Sequence, residues 1–110
     1  MPAIVTAEEL KQKIDNGEDF ILVNALTKES FAKSRIPGSI NIPKDEPERA
    51  RTQIPDKYKY IITYCASSTC SASPQLAAKL EDMGYTNVAE FKGGLQGWMD
   101  AGYELEGTEP

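Results

Sequence analysis

Two cysteines five residues apart, Cys65 and Cys70, are the residues of this chain best suited to chemistry. They follow an apolar run at residues 60–64 and precede a helix-forming run at residues 74–83, with only small residues between them. This pattern predicts a buried strand, a short loop and then a helix. Backbone N–H groups at a helix N-terminus lack an intrahelical partner and stabilise anions such as a thiolate. We therefore predict that Cys65 is a nucleophile whose pKa is lowered by surrounding amides.

The composition favours thiol chemistry over the other common kinds. The chain contains no histidine, so it lacks the usual general base and the commonest metal ligand. Two cysteines are too few for a structural zinc site. The net charge of −5 argues against a nucleic-acid partner, which would require a basic face. We expect a protein with no metal and no cofactor.

Length and hydropathy predict one domain in the cytosol. A chain of 110 residues can bury a single modest core. No apolar run approaches the length of about 18 residues that a membrane span needs. The first residues lack the basic start and long apolar centre of a signal peptide, so we expect a cytoplasmic protein without a membrane partner.

Alternating strand and helix patterns predict an α/β fold with a mainly parallel central sheet and helices on both faces. Ligand sites in such sheets lie beyond the carboxyl ends of the strands, where Cys65, Asn24 and Lys92 fall. The acidic tail from Glu104 is expected to fray. The predicted strands lie at residues 4–5, 20–24, 39–43, 60–64 and 87–91, and the predicted helices at about residues 6–16, 28–34, 45–51, 71–83 and 95–101.

Three segments of the chain resemble the rhodanese family. They are IPGSINIP at residues 36–43, Tyr64-Cys65 at the start of the loop, and FKGGLQGW at residues 91–98. Their order and spacing match from about residue 5 to residue 103, which implies a single rhodanese-like domain over residues 1–110.

The resemblance implies a sulfurtransferase that carries sulfane sulfur as a persulfide on Cys65. The donor would be thiosulfate, a polysulfide or a persulfide, including one on a partner protein, and the acceptor would be cyanide or a thiol. The resemblance assigns the substrate-binding loop to Ala66, Ser67, Ser68, Thr69, Cys70 and Ser71.

The chain departs from the family pattern in ways that bear on the donor. Cys70 stands where an Arg is common, Ser68 where a Gly is common, and Arg35 where a His is common; residues 24–26 replace the usual Asp-x-Arg. No charged side chain occurs between residues 59 and 79, so a cation would have to reach the loop through folding, from Arg35 or Lys92. We therefore expect weak thiosulfate binding and a preference for a donor of low charge. Phosphatase activity, which needs an Arg in the loop, is not expected.

Cys70 has two interpretations from sequence alone. It is a candidate resolving thiol, which would attack a Cys65 persulfide, release sulfide and leave a disulfide. It is equally compatible with a helix-start residue that faces the core. Two rival functions follow, namely a protein that cycles between a dithiol and a disulfide at Cys65 and Cys70, and a catalytically silent rhodanese-like binding module. Retention of Cys65 argues against the silent module.

Overall fold

The structure, a computed structural model that describes residues 3–109, contains one five-stranded parallel sheet. The strand order is β1-β5-β4-β2-β3, and every neighbouring pair of strands is parallel. The predicted α/β fold with a parallel sheet is therefore confirmed. The strands are β1 Ala3–Val5, β2 Ile21–Asn24, β3 Ile40–Asn41, β4 Ile61–Tyr64 and β5 Val88–Phe91.

Five helices connect and flank the strands, and their ends follow local signals in the sequence. Thr6 and Glu9 form a capping box at the start of α1, in which each side chain accepts a hydrogen bond from the other residue's backbone amide, at 3.1 and 3.0 Å. Within residues 3–109 no helix is both long enough and apolar enough to cross a membrane. The helices are α1 Ala7–Asp15, α2 Lys28–Lys33, α3 Ala50–Gln53 (preceded by a 3-10 turn at Pro47–Arg49), α4 Ala72–Asp82 and α5 Gly94–Asp100.

Alternation along the strands divides the core into two layers. Ile61 and Cys65 face one side of the sheet with α3 and α4, whereas Ile62 and Tyr64 face the other side with α1 and α5. Strand β4 lies at the centre of the sheet and all four of its residues are buried, as expected for a strand covered on both faces. The prediction of helices on both faces is thus confirmed.

Tyr64 joins the centre of the sheet to the turn at residues 36–39 through a closed ring of hydrogen bonds. The Ile36 amide donates to the Tyr64 hydroxyl at 3.0 Å, and this hydroxyl lies 2.8 Å from the Ser39 hydroxyl. Ser39 in turn donates to the Ile36 carbonyl at 2.7 Å. Both Tyr64 and Ile36 are fully buried, so the Ile36 amide depends on this one acceptor.

The Tyr64→Phe variant is expected to lower the free energy of unfolding by about 1–3 kcal/mol, because the buried Ile36 amide loses its acceptor. Urea denaturation measures the difference. Tyr58, which is 79% exposed, offers a matched control, and Tyr58→Phe should leave stability unchanged. Equal stability of the two variants would contradict the assigned role of the Tyr64 hydroxyl.

The segment after Glu104, which we expected to fray, is docked against the end of α2. Arg35 and Glu106 exchange two backbone hydrogen bonds of 2.9 Å, and their side chains form an ion pair of 3.2 Å. The Thr108 and Glu109 amides donate to carbonyls of α2 at 3.1 and 2.8 Å. The segment is acidic and contains glycine, which is typical of a frayed tail. Its composition therefore did not predict the pairing of Glu106 with Arg35, about seventy positions earlier in the chain. Pro110 lies outside the described residues.

Candidate functional site

Cys65 lies immediately after the central strand β4, at the carboxyl edge of the sheet. We call residues 65–71 the cysteine loop; α4 begins directly after it, at Ala72. The predicted helix start near residues 71–73 is confirmed. Cys65 itself is only 1% exposed, whereas Cys70 is half-buried. The two thiols are free, and the Cys65 sulfur lies 3.5 Å from the Cys70 carbonyl oxygen.

The first residues of helix α5 are hydrogen-bonded to the start of the cysteine loop. The Leu95 and Gln96 amides donate to the carbonyls of Cys65 and Ala66, each at 2.9 Å. Gly94 has a φ of +64°, and a Cβ at this position would lie 2.4 Å from the Cys65 carbonyl oxygen. Only glycine allows this close approach, so Gly94, the first residue of α5, is required for the packing of α5 against the loop.

Several amides of the loop are available to a ligand. Within residues 3–109, the amides of Ser67, Ser68 and Thr69 donate to no protein acceptor, while the Cys70 amide donates to the Ser67 carbonyl at 3.1 Å. Free amides in a turn before a helix form a favourable environment for an anion.

The prediction of a lowered pKa for Cys65 is wrong for the free protein. Burial is the largest effect and raises the pKa of the Cys65 thiol, and a hydrogen bond with Cys70 raises it further. The hydroxyl and amide of Ser73 lower this pKa, but by less than the burial raises it. Cys65 therefore rests as a thiol and must lose a proton before it can attack.

Cys70 shows the opposite behaviour. Its partial burial is the largest single effect and raises its pKa, but this is outweighed by a hydrogen bond from Cys65, by the amides of Ala66 and Ala72, and by the charge of Lys44. The pKa of Cys70 consequently lies below its usual value, so Cys70 is the more acidic of the two thiols.

Lys44 is a cation beside the loop, and its charge lowers the pKa of Cys70. Arg35, which the sequence offered as a candidate, is paired with Glu106. The Lys44 ammonium lies 3.3 Å from the Gln75 side-chain oxygen. Lys44 also lines a groove of about 110 Å³ next to the loop. The other residues that line this groove are Ala25, Leu26, Thr27, Pro43, Asp45 and Ala72.

A buried carboxylate also lies near Cys65, and our sequence analysis did not single it out. The Ser73 hydroxyl, in the first turn of α4, donates to Glu90 Oε1 at 3.2 Å. Ser73 and Glu90 are 1% and 6% exposed. The signal was present in the sequence, because a carboxylate within the four-residue buried strand β5 is unusual.

Two other residues of the sequence analysis have structural roles. The Asn24 side-chain oxygen accepts from the Leu26 amide at 2.8 Å, which fixes the turn after β2. Trp98 is 3% exposed and donates from its indole nitrogen to the Glu104 carbonyl at 2.9 Å. Trp98 therefore belongs to the core.

A larger cavity, of about 370 Å³, lies on the opposite side of the sheet from Cys65. It carries neither of the two thiols, so we place the chemistry at the cysteine loop. Among residues 3–109 there is no group of three or more Cys, Asp or Glu side chains placed to hold a metal ion. The residues lining the larger cavity are Lys11, Ile14, Pro37, Trp98, Gly102, Tyr103 and Glu104.

The fold and the site together define a small α/β protein with a buried cysteine at the start of the loop between the central strand and α4. Residues 6–101 match the rhodanese-like domain family, and the chain belongs to this family. The resemblance of the three sequence segments to rhodaneses is thus confirmed.

The relatives of the chain include sulfurtransferases. A sulfurtransferase of Allochromatium vinosum is 29% identical over 105 residues, which cover 96% of this chain and 95% of that relative. The thiosulfate sulfurtransferase GlpE of Actinobacillus succinogenes is 29% identical over 92 residues, which cover 81% of this chain and 78% of the relative. The crystal structure of the BH2092 protein from Bacillus halodurans matches with a TM-score of 0.89 and 31% identity, over 97% of this chain and 78% of that one.

Proposed function

We propose that this protein is a sulfurtransferase in which Cys65 carries sulfane sulfur as a persulfide. The observation that carries the proposal is the position of Cys65 at the end of the central strand, at the start of a loop in which three amides have no protein acceptor within residues 3–109. Those amides would stabilise the charged terminal sulfur of a persulfide. The sulfurtransferase names of two relatives support the same reaction class.

The reaction consists of two displacements at sulfur. The Cys65 thiolate attacks the outer sulfur of a donor R–S–S⁻; the S–S bond of the donor breaks, R–S⁻ departs with the bonding electron pair, and Cys65 holds the transferred sulfur. An acceptor such as cyanide or a thiolate then attacks that outer sulfur. The Cys65 thiolate is released as the leaving group, so the cycle needs no external oxidant or reductant.

Cys70 supplies an internal route for discharge, as a candidate resolving thiol. Its thiolate attacks the Cys65 sulfur of the persulfide, which releases hydrosulfide and forms a Cys65–Cys70 disulfide. An external dithiol then reduces the disulfide. The contact between the two cysteines and the lower pKa of Cys70 support this step.

Mass measurement of the intact protein after treatment with a polysulfide tests the proposal. In the Cys70→Ser variant, in which no second thiol can discharge the persulfide, we expect a gain of one sulfur atom that maps to Cys65 and is lost on addition of cyanide with formation of thiocyanate. A protein that takes up no sulfur from polysulfide, thiosulfate or a thiol persulfide would contradict the proposal.

The same measurement distinguishes the second candidate function, a protein that cycles between dithiol and disulfide. The contact of Cys65 with Cys70 and the opposite shifts of their pKa values favour this candidate. It predicts the loss of two hydrogen atoms, with no sulfur uptake at any stage of the reaction with a polysulfide.

Lys44 provides one ammonium group beside the loop. Members of the family often carry an Arg in the loop itself, at the position of Cys70. A single ammonium binds an oxyanion less firmly than a guanidinium fork does. We therefore propose a persulfide or polysulfide as the donor in preference to thiosulfate. The Lys44→Gln variant is expected to raise KM for thiosulfate by about 3- to 10-fold, which corresponds to the loss of about 1 kcal/mol of charge attraction near the surface.

Steady-state kinetics with two donors measures this effect. The KM for a neutral organic trisulfide should change little in Lys44→Gln, because that donor carries no charge. Lys33→Gln, which removes an exposed lysine of α2, is the matched control and should leave both KM values unchanged. An equal rise of KM for both donors would show that Lys44 supports the groove and does not attract the charge.

A further inference from the structure

The groove of about 110 Å³ that Lys44 lines lies at the carboxyl edge of the sheet. In the strand order, the chain leaves β2 toward β3 on one side and leaves β4 toward β5 on the other. The adjacent strands β2 and β4 therefore flank the point where the topology reverses, and open parallel sheets bind ligands in the crevice at such a point. The walls of the groove come from residues 25–27 after β2, residues 43–45 after β3, and Ala72 at the start of α4.

The groove adjoins the segment that carries both cysteines. The Ala25 amide donates to the carbonyl of Tyr64, the residue before Cys65, at 2.9 Å. Ala25, Ala72 and Cys65 belong to one buried cluster, and Cys70 packs against that cluster. A small molecule in the groove would therefore lie next to the cysteine loop.

Lys44 is held in place at three of its atoms. Its amide donates to the Ala25 carbonyl at 3.1 Å, and its carbonyl accepts from the Lys79 ammonium at 2.9 Å. Its ammonium donates to the Gln75 side-chain oxygen at 3.3 Å, and Gln75 donates to the hydroxyl of Ser71, the last residue of the cysteine loop, at 2.9 Å. Ordering a lysine side chain costs conformational entropy. A lysine held in this way suits a role in which its charge must stay at one place.

The charged residues that line the groove are Lys44 and Asp45, and the walls are otherwise mostly small or apolar. Their charged atoms lie 4.0 Å apart, and the Asp45 side chain is 81% exposed, so both charges remain available to a ligand. A ligand with only a carboxylate would be attracted by Lys44 and repelled by Asp45, and an amine would meet the reverse. A ligand with an ammonium and a carboxylate on neighbouring atoms complements both charges.

The volume of the groove agrees with a ligand group of this kind. It corresponds to about four water molecules, each with a share of about 30 Å³, which accommodates a group of about five or six non-hydrogen atoms. The head of an α-amino acid has this size, and the side chains of Leu26 and Pro43 offer apolar contact to its methylene group.

We propose that the groove binds the α-amino-acid head of a small thiol such as cysteine, with its carboxylate at Lys44, its ammonium at Asp45 and its sulfur toward the cysteine loop. The inference rests on the proposed function, because it names the class of thiol that exchanges sulfur with Cys65. The bound thiol loses its proton to solvent, and its thiolate attacks the outer sulfur of the Cys65 persulfide. The S–S bond of the persulfide breaks and the Cys65 thiolate departs with the bonding electron pair. The amino acid leaves as its own persulfide, and the reverse displacement loads Cys65.

Binding is tested without sulfur transfer by titration of the full chain with S-methyl-L-cysteine, whose sulfur is blocked. Nuclear magnetic resonance follows the backbone amides, and we expect saturable shifts at Leu26, Lys44 and Ala72. Lys44→Gln and Asp45→Asn should each weaken this binding by about fivefold or more. Glu48→Gln, which removes an exposed charge that does not line the groove, is the matched control and should bind as the wild-type protein does.

A second test measures specificity in the transfer step, with the Cys70→Ser protein loaded with sulfur on Cys65. Four thiols discharge it: cysteine, mercaptopropionate without the ammonium, cysteamine without the carboxylate, and mercaptoethanol without either. The ratio of the variant rate to the parent rate cancels the intrinsic reactivity of each thiol. Lys44→Gln should slow discharge by cysteine and mercaptopropionate, and Asp45→Asn discharge by cysteine and cysteamine, each by about 3- to 10-fold. Discharge by mercaptoethanol should change little in both variants.

Three outcomes overturn the inference. The first is the absence of saturable shifts with S-methyl-L-cysteine, and the second is an equal loss of binding in Glu48→Gln, which would show that only the total charge matters. The third is a set of variant ratios that is the same for all four thiols, which would show that the charged pair supports the groove and recognises no ligand. A protein that binds S-methyl-L-cysteine in the groove and takes up no sulfur would contradict the proposed function alone, so the two failures are separately observable.

Discussion

The Gly94→Ala variant is expected to unfold at a temperature lower than that of the wild-type protein by more than about 10 °C, if it folds at all. Two costs add at this position. Gly94 has a φ of +64°, which costs a residue with a Cβ about 1–2 kcal/mol. The new Cβ would also lie 2.4 Å from the Cys65 carbonyl oxygen, so the loop or α5 must shift, at a further cost of about 1–3 kcal/mol. Calorimetry measures the change.

Gly17→Ala is the matched control for Gly94→Ala. Gly17 has nearly the same φ, +65°, but a Cβ there would meet nothing within 4 Å. This variant should therefore show only the backbone strain. If the two variants lost the same stability, the close packing of α5 on the cysteine loop would not be what position 94 requires. Any Gly94→Ala protein that folds should also transfer sulfur more slowly, because the shift displaces the Cys65 carbonyl.

The Cys65→Ser variant is expected to lose sulfur transfer down to the rate without enzyme, a decrease on the order of 10³-fold or more. A serine hydroxyl does not attack sulfane sulfur at neutral pH. Its alkoxide is also a much poorer leaving group than the thiolate that the second step releases. The fold should be kept, since oxygen replaces sulfur in the same buried volume. Thiocyanate formation from cyanide measures the activity, and circular dichroism verifies the fold.

Cys70→Ser serves as the comparison in the same assay. Without the candidate resolving thiol, the persulfide should form on Cys65 and persist until an external acceptor removes it. Sulfide release without an acceptor should be lost, whereas it occurs in the wild-type protein. Activity that survives in Cys65→Ser and disappears in Cys70→Ser would instead make Cys70 the sulfur carrier, and the proposed function of Cys65 would be wrong.

The fold follows largely from signals that are local in the sequence. The apolar runs at residues 20–24 and 60–64 predict buried strands; β4 is the central strand of the sheet, and β2 lies next to it in the interior of the sheet. The Thr6 and Thr27 caps place the starts of α1 and α2 correctly. The order of the strands is a property of the complete fold, and no single segment encodes it.

The position of Cys65 was predictable, whereas its acidity was not. The change from an apolar run to small residues locates the strand end and the start of α4. The pKa depends instead on how closely α4 packs over the thiol, and this packing involves the whole core on that face. A helix N-terminus favours an anion, but the loss of water around a buried sulfur outweighs that effect here.

The charged residues near Cys65, namely Lys44 and Glu90, lie in segments outside the cysteine loop. Lys44 follows β3, and Glu90 lies in β5, each about 20 residues or more from Cys65 along the chain. Parallel strands bring their carboxyl ends to one edge, so both positions could have been considered as candidates. The cations expected from the sequence were Arg35 and Lys92, and Arg35 is bound by the docked tail through Glu106.

The hydrogen bonds from the Leu95 and Gln96 amides tie the start of the cysteine loop to α5. Displacing this part of the loop to admit a bulky sulfur donor would leave the Cys65 and Ala66 carbonyls without these partners. If Cys65 carries sulfur as proposed, we expect a small sulfur compound to reach it by diffusion and a donor protein to present its sulfur on a narrow, mobile segment.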